Sequence, residues 1–169
     1  MEANTTGSYC TVVGTYALDA STTGNENSAF GYNALTTNTT GHSNTALGVN
    51  TLRYNTTGHS NIAVGQNSLE ANTTANYNTA VGYAALNNNT TGDSNVGVGW
   101  RAIQTNTTGN NNTAVGNGSL YSNTTAADNV AVGLNVLYYN TTGARNTAVG
   151  MSSLLDNTTG YENVACGAY

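Results

Sequence analysis

The chain holds few side chains able to do chemistry. His42 and His59 stand 17 residues apart. If the chain repeats at that interval on stacked strands, their rings lie about 5 Å from each other, close enough to share a metal ion. No third ligand recurs beside them, and an exposed polar pair is the better reading. The Ser, Asp and Glu residues fall in turn or solvent-facing positions without a paired base, so no activated nucleophile is indicated. The glycines mark corners and are not followed by the strand-to-helix step of a phosphate loop. Nine Asn-Thr-Thr strings satisfy the formal N-glycosylation pattern, but sugars at strand spacing along one edge would crowd badly. Neither catalysis, a metal nor a cofactor is expected.

Composition narrows the alternatives further. Asn, Thr and Gly supply 29, 30 and 20 of the 169 residues, there is no Pro, and only 7% are charged. An average soluble chain carries roughly a quarter charged residues, so amides and hydroxyls must solvate this surface. A net charge of −5, with three Lys or Arg, leaves no basic footprint for a nucleic-acid backbone. Nucleic acid is therefore excluded as an expected partner. No apolar run approaches the roughly 20 residues of a membrane span, and the start lacks the charged and apolar regions of a signal peptide. Neither membrane insertion nor a leader is expected.

What positions every residue is a repeat. Gly14, Gly31, Gly48 and their successors to Gly167 recur every 17 residues in ten copies. A second Gly column runs from Gly7 to Gly160 and is interrupted only by Ala75 and Ala126. The unit reads N-T-T-G-x-x-N-T-A-V-G-x-x-A-L-x-x. Such a unit cannot bury a core alone and must stack on copies of itself. It is also too short for paired helices, and rich in poor helix formers. The spacing predicts an all-β fold, a parallel β-solenoid (β-roll) of ten 17-residue coils forming one domain over 1–169. At roughly 4.8 Å per coil the rod is about 48 Å long. Residues such as Asn112 to Gly116 supply one strand of each coil, and Ser119, Leu120 and Tyr121 the centre of a second. Cys10 and Cys166 then lie roughly 43 Å apart, too far to bond within one rod.

Strand side chains alternate between faces. The aliphatic residues flanking each small strand residue are expected to join the Leu18 to Leu154 column inside the coil, with Cys166 buried as a core Val equivalent. The small column, Ala29, Ala46, Ala63, Ala80, Ala114, Ala131 and Ala148, is then expected to face outward and form an oligomer face. Stacked Asn side chains are expected to bond along the rod in two ladders. One runs through Asn38, Asn55, Asn72, Asn89 and Asn106, the other through Asn44, Asn61, Asn78, Asn95 and Asn112. All charges after Glu2 and nearly all aromatics fall in variable, exposed columns. Tyr32, Tyr83 and Trp100 share one such column and Tyr121 and Tyr138 another, which marks them as candidate recognition residues for a host-surface glycan or protein.

The strings Asn44-Thr45-Ala46-Leu47-Gly48, Asn78-Thr79-Ala80-Val81-Gly82 and Asn146-Thr147-Ala148-Val149-Gly150 resemble the head repeats of trimeric autotransporter adhesins, the YadA-like or haemagglutinin repeat. Similar repeats occur in bacteriophage tail fibres. The resemblance implies a left-handed β-roll, a homotrimer, and an extracellular fibre on a cell surface or virion that adheres to a host. The coil of 17 is longer than is usual in that family, with Asn-Thr-Thr-Gly as the apparent insertion. The stalk, anchor and chaperone domains of such proteins are not in the sequence, so the chain reads as a segment of a longer fibrous protein. Two other expectations stand beside this one. One is an ice-binding solenoid using the Thr and Asn array, although Thr-Thr pairs in a strand would offer a single outward rank. The other is a filament made by end-to-end stacking of open strand edges.

Overall fold

The computed structural model describes residues 3–168; Met1, Glu2 and Tyr169, the ends of the expected domain, lie outside the described residues. The chain winds as a parallel β-solenoid. Each coil contributes one three-residue strand: β1 Thr11–Val13, β2 Ser28–Phe30, β3 Thr45–Leu47, β4 Ile62–Val64, β5 Thr79–Val81, β6 Val96–Val98, β7 Thr113–Val115, β8 Val130–Val132, β9 Thr147–Val149 and β10 Val164–Cys166. They form a single ten-stranded sheet in sequence order. Every pairing is parallel and offset by one repeat, as in Ala46↔Ala63 and Ala63↔Ala80.

The sheet faces the opposite way from the sequence expectation. Ala29, Ala46, Ala63, Ala80, Ala114, Ala131 and Ala148 are all fully buried inside the coil. Their flanking residues point out: Val13 is 59% exposed, Leu47 49% and Ile62 45%. These alanines therefore cannot be an oligomer face. The reason is thickness. At Gly97, which takes the place of Ala in β6, an added Cβ would lie 3.3 Å from Leu86 Cγ and 3.3 Å from the Ala102 carbonyl oxygen. The interior is one methyl group deep against the Leu column, so a Val side chain has no room there. Cys166, in the same outward column as Val149, is correspondingly exposed and not a core residue.

The expected second strand is absent from the described residues. The Leu-bearing segment is a chain of turns, and its buried column, Leu18 to Leu154 with Ile103, adopts left-handed backbone at φ 48–54°. Leu reaches that region only at a cost of roughly 1–2 kcal/mol. Full burial of Leu35, Leu52, Leu69, Leu86, Leu120 and Leu137 offsets it, at about 1.5–3 kcal/mol per side chain. The residue before each Leu is also buried. Where it is polar, its hydroxyl donates to a backbone carbonyl: Thr51 to Gly48 at 3.0 Å, Ser68 to Gly65 at 2.9 Å and Ser119 to Gly116 at 3.0 Å, each three residues back, and Ser153 to Ala165 at 3.4 Å.

The two Gly columns are needed for different reasons. Gly65 has φ +118°, and a Cβ there would also lie 2.7 Å from the carbonyl of Gly82 in the next coil. In the other column, no left-handed φ is required, and Ala75 and Ala126 are accommodated.

Two substitutions separate these constraints. Ile103 is β-branched in the left-handed region, so Ile103→Leu is expected to raise the unfolding free energy by on the order of 0.5–1.5 kcal/mol. Gly65→Ala is expected to lower it by about 3 kcal/mol or more. Chemical denaturation followed by circular dichroism checks both signs, and an Ile103→Leu variant less stable than the parent would contradict the strain argument.

Candidate functional site

The polar interior of the rod is built from the two Asn columns. In the column that follows each Gly-x-x step, the side-chain oxygen accepts the backbone N–H of its counterpart one coil on. This runs without a break from Asn27 through Asn44, Asn61, Asn78, Asn95, Asn112, Asn129 and Asn146 to Asn163, at 2.9–3.1 Å. The same amides donate through Nδ2 to the carbonyl 14 residues later, for instance Asn44 to Gly58 at 2.9 Å and Asn95 to Gly109 at 2.8 Å. Each amide thus satisfies a backbone donor and a backbone acceptor that the short strands leave buried.

The Asn-Thr-Thr-Gly column makes a side-chain ladder proper. Asn55 Nδ2 donates to Asn38 Oδ1, Asn72 to Asn55 and Asn106 to Asn89, each at 2.7 Å, and the ladder continues through Asn123 and Asn140 to Asn157. Its Nδ2 groups also donate to the Gly or Ala carbonyl of their own corner, so the Gly41 carbonyl accepts from both Asn27 and Asn38. The ladder skips one rung: Asn72 Oδ1 is buried without a partner. The gap falls at the Ala75 corner, but the equivalent bond forms at the Ala126 corner, from Asn140 to Asn123 at 3.1 Å, so the alanine alone does not account for it. Burial of Asn38, Asn55, Asn72, Asn89 and Asn106 also closes their amide nitrogens to a glycosylating enzyme.

Thr-Thr pairs lie in bends, not in a strand. In the pairs from Thr22 to Thr142 the first Thr is half-buried and donates its hydroxyl to the carbonyl one coil on, as Thr39 does to Thr56 at 3.1 Å, while the second is exposed. The pairs thus offer the single outward rank expected of them, and the strand Thr residues face outward in a separate column.

On the surface, like side chains stack. His42 and His59 rings lie 4.6 Å apart and nearly parallel, and the edge of Tyr77 meets His59. Each His Nδ1 is 3.3 Å from the hydroxyl of the following Ser. Among the described residues no group of three or more His, Cys, Asp or Glu is placed to hold a metal ion.

Of the aromatic candidates, the structure brings three to one corner and leaves two apart. Tyr121 and Tyr138 stack at 4.8 Å with nearly parallel rings, and Tyr139 meets Tyr138 edge-on at 4.9 Å. Trp100, with the Arg101 guanidinium 4.2 Å from its ring centre, stands on the far side of a depression of about 520 Å³. Asn117, Leu134, Asn135, Tyr138, Tyr139 and Leu155 complete its lining. Gly118 makes room: a Cβ there would lie 3.1 Å from the Tyr138 ring and 2.6 Å from Asn135 Oδ1. Burial and the neighbouring Tyr121 and Tyr139 hold the Tyr138 phenol above its usual pKa, so it is a neutral hydroxyl at physiological pH. Tyr32, which packs edge-on against Tyr16, and Tyr83 do not line the depression. Leu134, Tyr139 and the two Asn residues went unnoticed in the sequence. Their signal there is the crowding of large residues into neighbouring variable columns of consecutive coils.

Fold and surface together define a β-solenoid repeat protein whose coils are held by buried amides. No family model, curated protein or solved structure matches the chain.

The ladders should respond to repair and to damage. Ser21 and Cys10 stand where other coils carry the two Asn columns, and Ser21 Oγ is buried without a partner. Ser21→Asn and Cys10→Asn are each expected to add about 1–2 kcal/mol. Asn78→Ala strips the buried Asn95 N–H of its acceptor and is expected to cost about 2–4 kcal/mol. Differential scanning calorimetry reads these as upward and downward shifts of Tm. An Asn78→Ala variant with unchanged Tm would show that the ladder adds nothing to stability.

Proposed function

We propose that the chain is a non-enzymatic structural and adhesive segment of an extracellular fibre, of the kind carried by cell-surface adhesins and phage tail fibres, and that it works as a homotrimer. The observation that carries this reading is the outer face of the sheet. Its first nine strands present a continuous apolar column from Val13, Phe30 and Leu47 through Val64, Val81, Val98, Val115 and Val132 to Val149, with no charged residue in any strand. Monomeric proteins rarely leave a contiguous apolar strip of this kind in water. A second copy of the same rod matches it in length and in its 17-residue step, and closed assemblies of identical chains bury such faces. The resemblance of the Asn-Thr-Ala-Val-Gly strings to adhesin head repeats supports three copies arranged side by side. This moves the self-association surface from the buried alanines to the residues that flank them.

A second reading, ice binding, is favoured by the outward Thr residues of the same sheet. Thr45, Thr79, Thr113 and Thr147 form a regular rank beside the aliphatic column. Between them stand Ile62, Val96 and Val130, so hydroxyls recur only at every second coil, and the face is more apolar than a hydroxyl lattice.

Light scattering at micromolar concentration is expected to give the mass of a trimer. The outward substitutions Val81→Lys and Val115→Lys together are expected to give a monomer with an unchanged circular dichroism spectrum. A monodisperse monomer for the parent chain would overturn side-by-side assembly. A micrometre-long filament in negative stain would point to end-to-end stacking instead. Thermal hysteresis in a nanolitre osmometer is expected to be absent, and its presence would favour the ice-binding reading.

A further inference from the structure

We propose that the corner between Trp100 and Tyr139 is a binding subsite for a neutral saccharide unit. The proposal rests on the adhesive half of the fibre reading and names the ligand class that half leaves open. In a rod whose coils repeat, recognition has to come from departures from the repeat, and the largest of these fall together here. Tyr121, Tyr138 and Leu155 replace the polar Asn87 and Gln104 of earlier coils in one column, Tyr139 follows Asn88, Thr105 and Ser122 in the next, and Gly118 removes the side chain that Arg101 and Asn135 carry before and after it in a third.

Three features fit a sugar. Trp100 and Tyr139 are about half exposed on either side of the depression, and such rings pack against the C–H face of a pyranose. The floor carries amides that the protein does not use. In the column of Asn135, Asn33 donates to Asn50 and Asn50 to Asn67, each at 3.2 Å. Asn135 lies instead between Gly118 and Ser152, and among the described residues neither its side chain nor that of Asn117 has a hydrogen-bond partner. An amide offers one donor edge and one acceptor edge, which suits a pair of adjacent hydroxyl groups. Finally, no charged side chain is among the lining residues; the Arg101 guanidinium beside them is stacked on the Trp100 ring at 4.2 Å, and the chain's net charge of −5 disfavours a carboxylated or sulfated sugar. The neutral Tyr138 hydroxyl adds a further donor or acceptor.

Trp100 is the only Trp of the chain, so its fluorescence reports on this corner alone. The test starts with the parent chain on an array of neutral, N-acetylated, sialylated and sulfated oligosaccharides. It continues with a fluorescence titration of the best-bound neutral one. Tyr139→Ser and Trp100→Asn borrow residues that the same columns hold at Ser122 and Asn117, so the coils keep a side chain they already accommodate. Tyr32→Gln, which borrows the residue at Gln66, removes an exposed aromatic of the Trp100 column away from the depression. A neutral oligosaccharide is expected to bind and change Trp100 emission. Tyr139→Ser should weaken binding about tenfold or more, Trp100→Asn should abolish the array signal, and Tyr32→Gln should change affinity less than about twofold. The proposal fails if no neutral glycan binds, if charged glycans or aromatic peptides bind in preference, or if Tyr139→Ser binds as the parent does. Sedimentation of the same samples separates the two readings: glycan binding by a monomeric rod overturns the assembly alone, and a trimer without glycan binding overturns the subsite alone.

Discussion

One hydrogen bond, repeated, sets the terms for the rest of this structure: a buried Asn side-chain oxygen accepting the backbone N–H of the Asn one coil on. A strand of three residues closes few backbone bonds, and most of each coil is turn. Without the amide relay, the backbone groups at the Asn corners would be buried and unpaired, at about 1–3 kcal/mol each. With it, the chain can bury a corner that has no regular secondary structure. The relay also fixes the register, because an Asn can meet both its backbone partners only when the coils differ by 17 residues. Length of coil, identity of the corner Gly and position of the strand all follow from that match.

The same constraint decides what the core can be. The two Asn columns fill one side of the coil, which leaves a thin apolar layer consisting of the strand alanines and the Leu column. A thin layer needs a small residue from the sheet and a long one from the opposite segment. The long one reaches inward only if its backbone turns left-handed. Leu pays that conformational cost repeatedly because the alternative, a second strand, would turn alternate side chains of that segment to opposite faces and give up the run of turns that closes the corner. Fold stability is thus a balance of buried amides and strained leucines, with little contribution from charge: the ion pairs, Arg53 with Glu70 and Arg145 with Glu162, lie on the surface.

Much of this was legible in the sequence and some was not, for identifiable reasons. The 17-residue period gave the parallel stacking and the two Asn ladders directly, since a polar column kept as Asn in nine of ten coils has few other uses. Alternation at Thr45, Ala46 and Leu47 showed that neighbours lie on opposite faces, but not which face is inside. The habit of placing larger apolar residues inward chose wrongly, because it assumes a core deeper than one methyl group. The left-handed leucines were invisible because backbone preference assigns that region to Gly and Asn. Asn135 and Tyr139 escaped notice for a different reason: they belong to separate columns, and only the winding of the coil brings those columns to one corner.

Inverting the sheet changes the meaning of its small residues. A column of alanines looked like a surface shaped for a neighbour, and it is shaped for one, but that neighbour is the leucine of the same rod. The outward positions are then free of the packing constraint, and free positions in a repeat normally drift toward polar or charged residues, as Asp19, Arg53 and Glu70 show in one half-exposed column. The column from Val13 to Val149 has not drifted; it holds Val, Phe or Leu in nine coils, with Cys166 in the tenth. No requirement of the single rod accounts for that, since these side chains contribute nothing to its interior and leave apolar surface in water. The uniformity is explained if the residues are buried in the working state, which is why the outer face of the sheet, and not the alanine column, carries the argument for assembly.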